Sequence, residues 1–269
     1  MKKNILITGG NGFLGSKLIK KINKKKYNIF RLSNLKFKNQ FNNYGIFNYD
    51  KSSYKKLLNY NIFCIIHLAT CYGKEGEKKK KIFDINVQLP LKIFKTFSKN
   101  GLKYFINTDT YFSKNINYGK QLNNYVHSKK LFLKKIRQLP QKNTNIINCK
   151  IFHMYGEKDN KLKFLPQIIS KLKDNENIIN LTSCKQPLDF VHVDDVVNAY
   201  IRIIDNIFFN NKVRKNYEIG SGKGTVLKKI DLLLKKKTKS SSKLIFGALP
   251  NRKNEKNNNL ANIKNLVDL

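Results

Sequence analysis

Near its start the chain reads Ile5-Leu6-Ile7-Thr8-Gly9-Gly10-Asn11-Gly12-Phe13-Leu14-Gly15. A short apolar run leads into glycines at the spacing G-x-x-G-x-x-G, and apolar residues then recur at helical intervals. This pattern predicts a strand, a tight turn and a helix, the setting of a dinucleotide-binding site. Pyrophosphate reaches the free N–H groups of a helix start only if the backbone comes close, and a Cβ at the turn would prevent that. The cofactor contacts predicted from this stretch are Gly9, Gly12, Phe13, Leu14 and Gly15.

The same glycine spacing also occurs in turns that only pack a helix on a sheet. The rest of the chain is therefore needed to distinguish a cofactor-binding turn from a packing turn. Strand-like and helical segments alternate along the chain. The pattern predicts strands over 27–32, 46–50, 62–68, 104–106 and 146–152, and helices over 54–58, 82–98 and 125–136. Residues 62–68 are almost wholly apolar, as expected of a parallel strand buried on both faces. We therefore predict an α/β protein with a Rossmann-type, doubly wound parallel sheet.

From residue 162 the pattern is less regular. It predicts helices from 164, over 196–204 and over 226–234, strands over 178–181 and 217–219, and a weakly patterned tail. We expect residues 1–155 to form the cofactor-binding Rossmann domain, to which residues 186–222 return. Residues 156–185 and 223–269 are expected to form a smaller C-terminal substrate-binding lobe.

The chain has a formal net charge of +37, which has two interpretations. One is binding to nucleic acid or to an anionic membrane. The other is a compositional bias that places lysine everywhere, and we favour it because the lysines are spread along the whole chain without a nucleic-acid-binding motif. We therefore expect no nucleic-acid partner, although the charge would still attract an anionic nucleotide substrate.

The four cysteines, Cys64, Cys71, Cys149 and Cys184, form no C-x-x-C pair and lie mostly in apolar runs. They indicate reduced, buried thiols and a cytoplasmic protein. The apolar runs are too short to span a bilayer, and no signal-peptide core follows the first residues, so we expect no membrane partner. No cluster has metal-ligand spacing, and His67 is interpreted as a structural residue.

Catalytic residues are predicted from a tyrosine and a lysine at helical spacing. Tyr125 and Lys129 are four residues apart, on one face of a predicted helix. A nearby cation favours the phenolate, so we expect the pKa of Tyr125 to be lowered and its acid–base function improved. Thr108 follows a predicted strand, where its hydroxyl could hold a substrate oxygen. The Y-x-x-x-K spacing is common by chance, but the order of glycine turn, threonine and Tyr/Lys pair argues against chance.

These motifs resemble those of the extended short-chain dehydrogenases/reductases, in particular the NAD-dependent epimerase/dehydratase family. The resemblance also covers His67-Leu68-Ala69, Phe152-His153-Met154-Tyr155-Gly156, Asp189-Phe190-Val191-His192-Val193-Asp194-Asp195 and Gly220-Ser221-Gly222. It implies a Tyr125/Lys129/Thr108 triad that acts on substrate and cofactor. It further implies cofactor contacts from Asp50, Leu68, Ala69, Asn86 and Phe152, and substrate contacts from His153, Pro166 and Arg252.

Within that family, Asn107-Thr108-Asp109-Thr110 resembles the corresponding run of nucleotide-sugar 4-keto reductases. The family's dehydratases carry Thr-Asp-Glu there, so Thr110, a predicted substrate contact, replaces the carboxylate base that elimination of water requires. Asp109 is either a second proton donor or a buried, hydrogen-bonded residue. Leu188 replaces the arginine usual before Asp-Phe, which predicts weaker binding of the substrate pyrophosphate unless Lys185 substitutes for it. The chain is shorter than most relatives, and we expect a shortened lobe.

The sequence therefore predicts an enzyme that reduces the 4-keto group of a nucleotide-linked deoxyhexose for surface polysaccharides. Two alternatives remain: a nucleotide-sugar 4-epimerase with retained NAD, and a noncatalytic nucleotide- or RNA-binding relative. Ser33 stands where an acid usually binds the adenosine ribose, with Arg31 before it and Lys36 and Lys38 beyond. Because the acid is missing and cations are close, NADP(H) is expected to be favoured over NAD(H). We also expect a homodimer.

Overall fold

The computed structural model describes residues 2–33, 46–114, 120–140, 143–209, 214–251 and 260–268. Its strands are β1 (Lys3–Thr8), β2 (Tyr27–Ser33), β3 (Ile46–Asn48), β4 (Cys64–His67), β5 (Tyr104–Thr110), β6 (Asn145–Ile151), β7 (His153–Tyr155), β8 (Ile178–Leu181), β9 (Pro187–Leu188), β10 (Phe190–His192), β11 (Asn216–Ile219), β12 (Thr225–Val226) and β13 (Lys243–Phe246). Its α-helices are α1 (Phe13–Lys21), α2 (Lys51–Leu58), α3 (Lys79–Phe83), α4 (Leu89–Ser98), α5 (Lys120–Gln138), α6 (Phe164–Lys173), α7 (Val193–Phe209), α8 (Leu227–Thr238) and α9 (Lys264–Val267).

Seven strands form one sheet in the order β11-β6-β5-β4-β1-β2-β3, and every pairing in it is parallel. This confirms the predicted Rossmann-type sheet. Thr8 and His67 end β1 and β4, and their neighbours in register, Asn107 and Asn148, lie midway along β5 and β6. The polar ends of β1 and β4 and the continuation of β5 to Thr110 therefore lie at the carboxyl edge of the sheet, where ligands bind in folds of this class.

The two faces of the sheet are covered by separate apolar clusters, which explains the apolar character of the central strands. On one face, Cys64 and Ile66 pack in the cluster that includes the apolar sides of α1 and α7. On the other, Ile65 packs in the cluster formed with α2, α4 and α5. A strand buried on both faces has no side for polar residues, and this accounts for the sequence of β4.

The helix predicted over 82–98 is interrupted. A five-residue π-helical turn, Asp84–Gln88, separates α3 from α4. Pro90 lies in the first turn of α4 and has no N–H to donate to the carbonyl four residues earlier, which favours the irregularity. Single π turns are frequent at functional sites, and this one carries Asn86.

The C-terminal part has a small core of its own, formed by α6, α8, β8 and β13. β13 lies in the tail where the sequence predicted little, and it pairs in parallel with β8. The prediction ended too early for β5, which continues to Thr110. Among the described residues, no helix has the length and apolar character needed to cross a membrane.

Candidate active site

The glycine turn after β1 brings two strand ends close together. Gly9 has a φ of +67°, and a Cβ there would lie 2.6 Å from the backbone nitrogen of Ala69. A Cβ on Gly15 would overlap the carbonyl oxygen of Gly9 and come within 2.8 Å of the Cα of Gly10. Only glycine therefore allows α1 to pack this closely onto the turn.

The start of α1 offers N–H groups to an anion. Gly12 is the N-cap, and its N–H donates to the Gly9 carbonyl at 3.0 Å, which closes the turn. The N–H groups of Phe13, Leu14 and Gly15 belong to the first helical turn, which has no preceding carbonyls to accept from them. The positive end of the helix dipole adds to this, so the turn fits a dinucleotide pyrophosphate.

Behind the turn, the β4 residue His67 is a structural residue, as predicted. Its Nδ1 is 2.8 Å from the hydroxyl of Thr8, which also accepts the N–H of Ala69 at 3.2 Å. Burial lowers the pKa of His67 to about 3, with the charge of Lys129 as a second cause, so the ring is neutral. Leu68 and Ala69 are thereby fixed beside the glycine turn, where a bound cofactor would pass.

At the end of β2, Arg31 and Ser33 lie beside the same turn. Asn11 donates from Nδ2 to the Ser33 hydroxyl at 2.9 Å. The Arg31 stem is 3.5 Å from the position of a Cβ on Gly10, and its buried Nε has no hydrogen-bond acceptor within the described chain. A buried donor without an acceptor fits an anionic ligand at this place. Lys36 and Lys38 lie outside the described residues.

Asp50 is the N-cap of α2. Its Oδ1 accepts the N–H of Ser53 at 2.7 Å and the hydroxyl of Ser52 at 2.9 Å. The bond from the Ser53 N–H is the largest cause that lowers the pKa of Asp50. The described contacts of this carboxylate are thus those of a helix cap, and its predicted contact with the cofactor stays a prediction.

Tyr125 and Lys129 are both buried on α5, with exposed fractions of 3% and 2%. The Tyr125 hydroxyl has side-chain hydrogen-bonding partners in Thr110 and Tyr72. Lys129 Nζ donates to the hydroxyl of Thr70 and to the carbonyl of Thr108, each at 2.9 Å. The tyrosine and the lysine are therefore anchored at the carboxyl ends of β4 and β5.

The pKa of Tyr125 is not lowered, so that expectation is wrong. Burial raises it well above its ordinary value, and the hydrogen bond from Thr110 opposes the rise. Burial also lowers the pKa of Lys129 to about 8, which the charge of Asp109 opposes. Burial raises the pKa of Tyr125 by more than attraction to the Lys129 ammonium could lower it, because the described hydrogen bonds of Lys129 go to Thr70 and Thr108.

The two threonines of β5 have different partners. The Thr108 hydroxyl is 2.6 Å from the hydroxyl of Tyr200, a fully buried residue of α7. The Thr110 oxygen accepts the N–H of Phe112 at 3.4 Å, which leaves its proton for the oxygen of Tyr125. Thr110 is therefore the threonine whose hydroxyl lies beside Tyr125, while Thr108 contributes its carbonyl to Lys129, and the predicted contact of the Thr108 hydroxyl with substrate stays a prediction.

Asp109, between these threonines, is a buried, hydrogen-bonded residue. Its Oδ1 accepts the N–H of Thr110 at 2.8 Å. Its Oδ2 accepts from the Ser113 hydroxyl at 3.2 Å and from Asn148 Nδ2 at 3.3 Å. Of the two readings left open by the sequence, the structural one agrees with these contacts.

Asn86, on the π turn, connects the loop after β4 with α5. Its Oδ1 accepts the N–H of Cys71 at 2.8 Å, and its Nδ2 donates to the carbonyl of Cys71 at 2.8 Å and the hydroxyl of Ser128 at 2.9 Å. Ser128 in turn donates to the carbonyl of Tyr125 at 2.6 Å. This network fixes Tyr125 relative to the loop, and it uses the whole Asn86 amide, which was predicted to line the cofactor.

The predicted substrate residues are only partly brought together. Phe152 and His153 pack against Tyr111, with ring centroids 5.7 Å and 4.1 Å from it. Pro166 is half-buried in α6 and Lys185 is exposed, and no described contact joins either to Tyr125. Arg252 lies outside the described residues.

Two residues contribute to this edge in ways that were not predicted from the sequence. Asp189 is a fully buried carboxylate that accepts the N–H groups of Ser221, Gly222 and Ala261 at 2.7–3.0 Å, together with the Ser221 hydroxyl. The sequence features that could have indicated this role are an acidic residue within a short apolar segment and a distant glycine-rich turn, Gly220-Ser221-Gly222, whose N–H groups can donate to it. Lys163 Nζ lies 5.6 Å and 5.9 Å from the ring centroids of Phe13 and Tyr72, and its sequence context gave no signal.

Comparison with known proteins identifies the family of the chain. Residues 5–220 match the NAD dependent epimerase/dehydratase family. The chain is 33% identical over 259 residues to a protein named CDP-abequose synthase from Salmonella muenchen, a match covering 95% of this chain and 87% of that one.

The solved structures of two 4-epimerases are among those similar in fold. The UDP-glucose 4-epimerase of Thermotoga maritima, solved with UDP-glucose, has a TM-score of 0.78 at 20% identity, covering 98% of this chain and 91% of that one. The NAD complex of UDP-glucose 4-epimerase from Thermus thermophilus has a TM-score of 0.75 at 17% identity, with coverages of 98% and 92%. The chain thus belongs to the NAD-dependent epimerase/dehydratase family, as its motifs predicted, and is an NAD(P)-dependent enzyme.

Proposed function

We propose that this enzyme reduces the 4-keto group of a nucleotide-linked deoxyhexose, with NADPH as the reductant. The observation that carries the proposal is the end of β5, where the Tyr125 hydroxyl has the Thr110 hydroxyl as a partner. A phenol whose pKa is raised by burial keeps its proton at neutral pH and can donate it to a ketone oxygen. The site therefore suits a reduction that ends with protonation of oxygen.

In this mechanism Tyr125 is the general acid. When bound, the reduced cofactor supplies the hydride. Thr110 donates its hydroxyl proton towards the Tyr125 oxygen and so stabilises the phenolate left after proton transfer. Lys129, held by Thr70 and the Thr108 carbonyl, supplies an ammonium for the nicotinamide ribose, the role that the family resemblance implies.

The same strand end argues against elimination of water. Thr110 stands where the family's dehydratases carry glutamate, and a hydroxyl cannot remove a carbon-bound proton as a carboxylate can. The neighbouring carboxylate, Asp109, is engaged by Thr110 N–H, Ser113 and Asn148. These contacts support reduction over dehydration.

The preference for NADPH rests on Arg31 and Ser33. An acid at the position of Ser33 would repel a 2′-phosphate, and here the side chain is a hydroxyl bonded to Asn11. The buried Arg31 Nε lacks an acceptor among the described residues, and a 2′-phosphate oxygen could supply one.

For the substrate, the relative named CDP-abequose synthase makes a CDP-linked sugar the first candidate. Residues 156–185 and 223–269 are proposed as its binding lobe, with His153, Pro166, Lys185 and Arg252 as contacts. We further propose a homodimer in the cytoplasm, where the four free cysteines would stay reduced.

The test is a panel of CDP-, dTDP-, GDP- and UDP-linked 4-keto-6-deoxyhexoses with NADPH or NADH. We expect stoichiometric oxidation of NADPH with one of them, at a lower KM than NADH. Purified protein with tightly bound NAD that interconverts sugar epimers without net oxidation would identify a 4-epimerase. Absence of turnover together with steeply salt-dependent polyanion binding would identify a noncatalytic relative.

A further inference from the structure

Lys163 places an ammonium group between the glycine turn and the tyrosine of the candidate active site. Its Nζ lies 5.6 Å from the ring centroid of Phe13, the first residue of α1, and 5.9 Å from the ring centroid of Tyr72. The Tyr72 ring in turn packs against the ring of Tyr125, with centroids 4.9 Å apart. The loop before α6 therefore holds a cation between the start of α1 and the buried tyrosine.

The loop that carries Lys163 is fixed against α1 and against the segment after β4. At the start of this loop, a Cβ on Gly156 would lie 3.4 Å from the ring of Phe13. At its end, the Lys163 side chain returns to the same ring. Between them, Lys74 Nζ donates to the carbonyl of Leu162 at 3.1 Å. The ammonium is thus positioned by contacts of the loop on both sides of the cleft.

Asp159 holds the Lys163 ammonium in place. Its carboxylate oxygens lie 2.9 Å and 3.0 Å from Nζ, and its side chain is 3% exposed, against 24% for Lys163. Among the described residues, Asp159 is the only hydrogen-bond acceptor of this Nζ. An ammonium has more N–H donors than the two oxygens of one carboxylate can accept, so Lys163 can still donate to a ligand.

The diphosphate of a dinucleotide is the ligand group that fits this position. The first turn of α1 offers N–H groups to it, and the family resemblance implies that the nicotinamide half extends from there to Tyr125 and Lys129. Lys163 lies between these two places. A helix start supplies only partial positive charge, whereas the phosphates carry full negative charges. A nearby ammonium would therefore add charge-assisted hydrogen bonds that the turn alone cannot supply.

We propose that Lys163 is a cofactor-binding residue whose ammonium donates to the diphosphate of the nicotinamide dinucleotide, and that Asp159 positions it for this contact. The diphosphate is then bound from two sides, by the N–H groups of α1 and by the loop before α6. This inference rests on the glycine turn and on membership of the family. It does not depend on whether the reaction is a reduction or an epimerisation.

The test is a fluorescence titration of NADPH and of NADH into protein freed of any bound cofactor. Lys163→Met keeps an unbranched side chain and removes the charge. We expect it to raise the Kd of the preferred cofactor on the order of 10-fold, the scale of a lost hydrogen bond to a charged group. Lys163→Arg keeps a cation and should retain most of the affinity. The control is Lys161→Met, which removes the same charge from an exposed position in the same loop and should leave the Kd unchanged.

Two further measurements separate this contact from other effects of the substitution. Lys163→Met leaves the Asp159 carboxylate without its cation, so the double variant Asp159→Asn/Lys163→Met, which lacks both charges, should show the same loss of cofactor affinity. The second measurement is binding of CDP, or of whichever of CDP, dTDP, GDP and UDP the unmodified protein binds. Its affinity should be unchanged in Lys163→Met, because the proposed contact is with the cofactor.

Unchanged cofactor affinity in Lys163→Met and in the double variant would overturn the inference. So would a loss of nucleoside diphosphate affinity with the cofactor affinity retained, since Lys163 would then bind the substrate. An equal loss in Lys161→Met would also contradict it, since net charge alone would then explain the effect. Failure of the proposed reductase function would instead show as epimer interconversion without net oxidation, whatever the affinities of these variants.

Discussion

Two buried carboxylates show how differently two regions of this molecule treat charge. Asp189, at the edge of the sheet that carries the candidate site, accepts hydrogen bonds from Ser221, Gly222 and Ala261. Asp231, on α8 in the C-terminal part, is just as buried. No N–H or O–H donor among the described residues reaches Asp231, and its neighbour is the weakly donating thiol of Cys184.

This difference shows in which region of the chain buried polar groups stabilise the fold. At the sheet edge, one carboxylate joins the segment before β10, the turn after β11 and the segment near α9. Around Asp231 the shape comes from the apolar cluster of α6, α8, β8 and β13, and the carboxylate opposes it. Substitutions at the edge should therefore damage stability or function, whereas the change at Asp231 should improve stability.

The largest effect is expected from Asp189→Ala, which would leave four donors without their acceptor, among them the buried N–H of Ala261. We expect the free energy of unfolding to fall by about 4 kcal/mol, as for other broken buried charged networks. Chemical denaturation measures this value. Asp195→Ala, at an exposed position six residues later in the same motif, is the control and should change it by about 0.5 kcal/mol or less. Similar losses for both variants would contradict a specific stabilising role of the Asp189 hydrogen bonds.

The next effect concerns the two threonines of β5. Thr110→Val removes the hydroxyl beside Tyr125 and should lower kcat on the order of 10- to 100-fold with nearly unchanged stability. Thr108→Val removes the oxygen partner of the buried Tyr200 hydroxyl and leaves it, among the described residues, only the Cys149 sulfur, so it should lower stability by about 1–3 kcal/mol with a smaller change in kcat. Kinetics and thermal unfolding of both variants measure these effects. The reverse pattern would return the catalytic role to Thr108.

Asp231→Asn should stabilise the protein above pH 6 because burial raises the pKa of Asp231 from 3.8 to about 6. The folded state binds the proton more tightly than the unfolded state. This contribution to stability is present below pH 3.8 and is lost as the pH rises through about 6. The difference corresponds to at most about 3 kcal/mol, and the buried amide reduces the gain to about 2 kcal/mol. Unfolding of both proteins at pH 4 and pH 8 checks this, and an equal difference at both values would contradict it.

The fold and the Tyr125/Lys129 pair could be predicted because their signals are local. A glycine turn, an apolar strand and a four-residue helical spacing depend on neighbours in sequence. The partners of Thr108 and Thr110 could not be predicted, since their separation from Tyr200 and Tyr125 depends on how α7 and α5 pack. The pKa of Tyr125 was predicted in the wrong direction because the sequence shows a nearby cation but not the degree of burial.

The contacts of Asp189 and the burial of Asp231 could not be predicted because they depend on residues that are far apart in the sequence. Asp189 is bonded to residues 32 and 72 positions away, and no spacing rule connects them. On the sequence alone, Asp231 is an ordinary polar residue of an amphipathic helix, and only the packing of α8 buries it. The π turn around Asn86 was read as continuous helix because its apolar periodicity is nearly helical.

The smallest effect is expected at the cofactor edge. Ser33→Asp would introduce a carboxylate at the proposed adenosine-ribose contact, where it would accept hydrogen bonds from the ribose hydroxyls and repel a 2′-phosphate. The ratio of kcat/KM for NADPH over NADH should fall on the order of 10-fold, about 1.4 kcal/mol. Ser33→Ala is the matched control and should keep the preference. An unchanged ratio in Ser33→Asp would contradict the proposal that Ser33 determines the cofactor preference.

The most direct test of the account is the turnover of Tyr125→Phe with the 4-keto sugar nucleotide that the unmodified enzyme reduces. This change keeps the buried ring and removes only the hydroxyl that Thr110 and Tyr72 contact. The account predicts a loss of NADPH oxidation on the order of 10²-fold or more, the usual scale for a general acid, with NADPH binding nearly unchanged in a fluorescence titration. Near-normal turnover by Tyr125→Phe would contradict the central claim that Tyr125 delivers the proton.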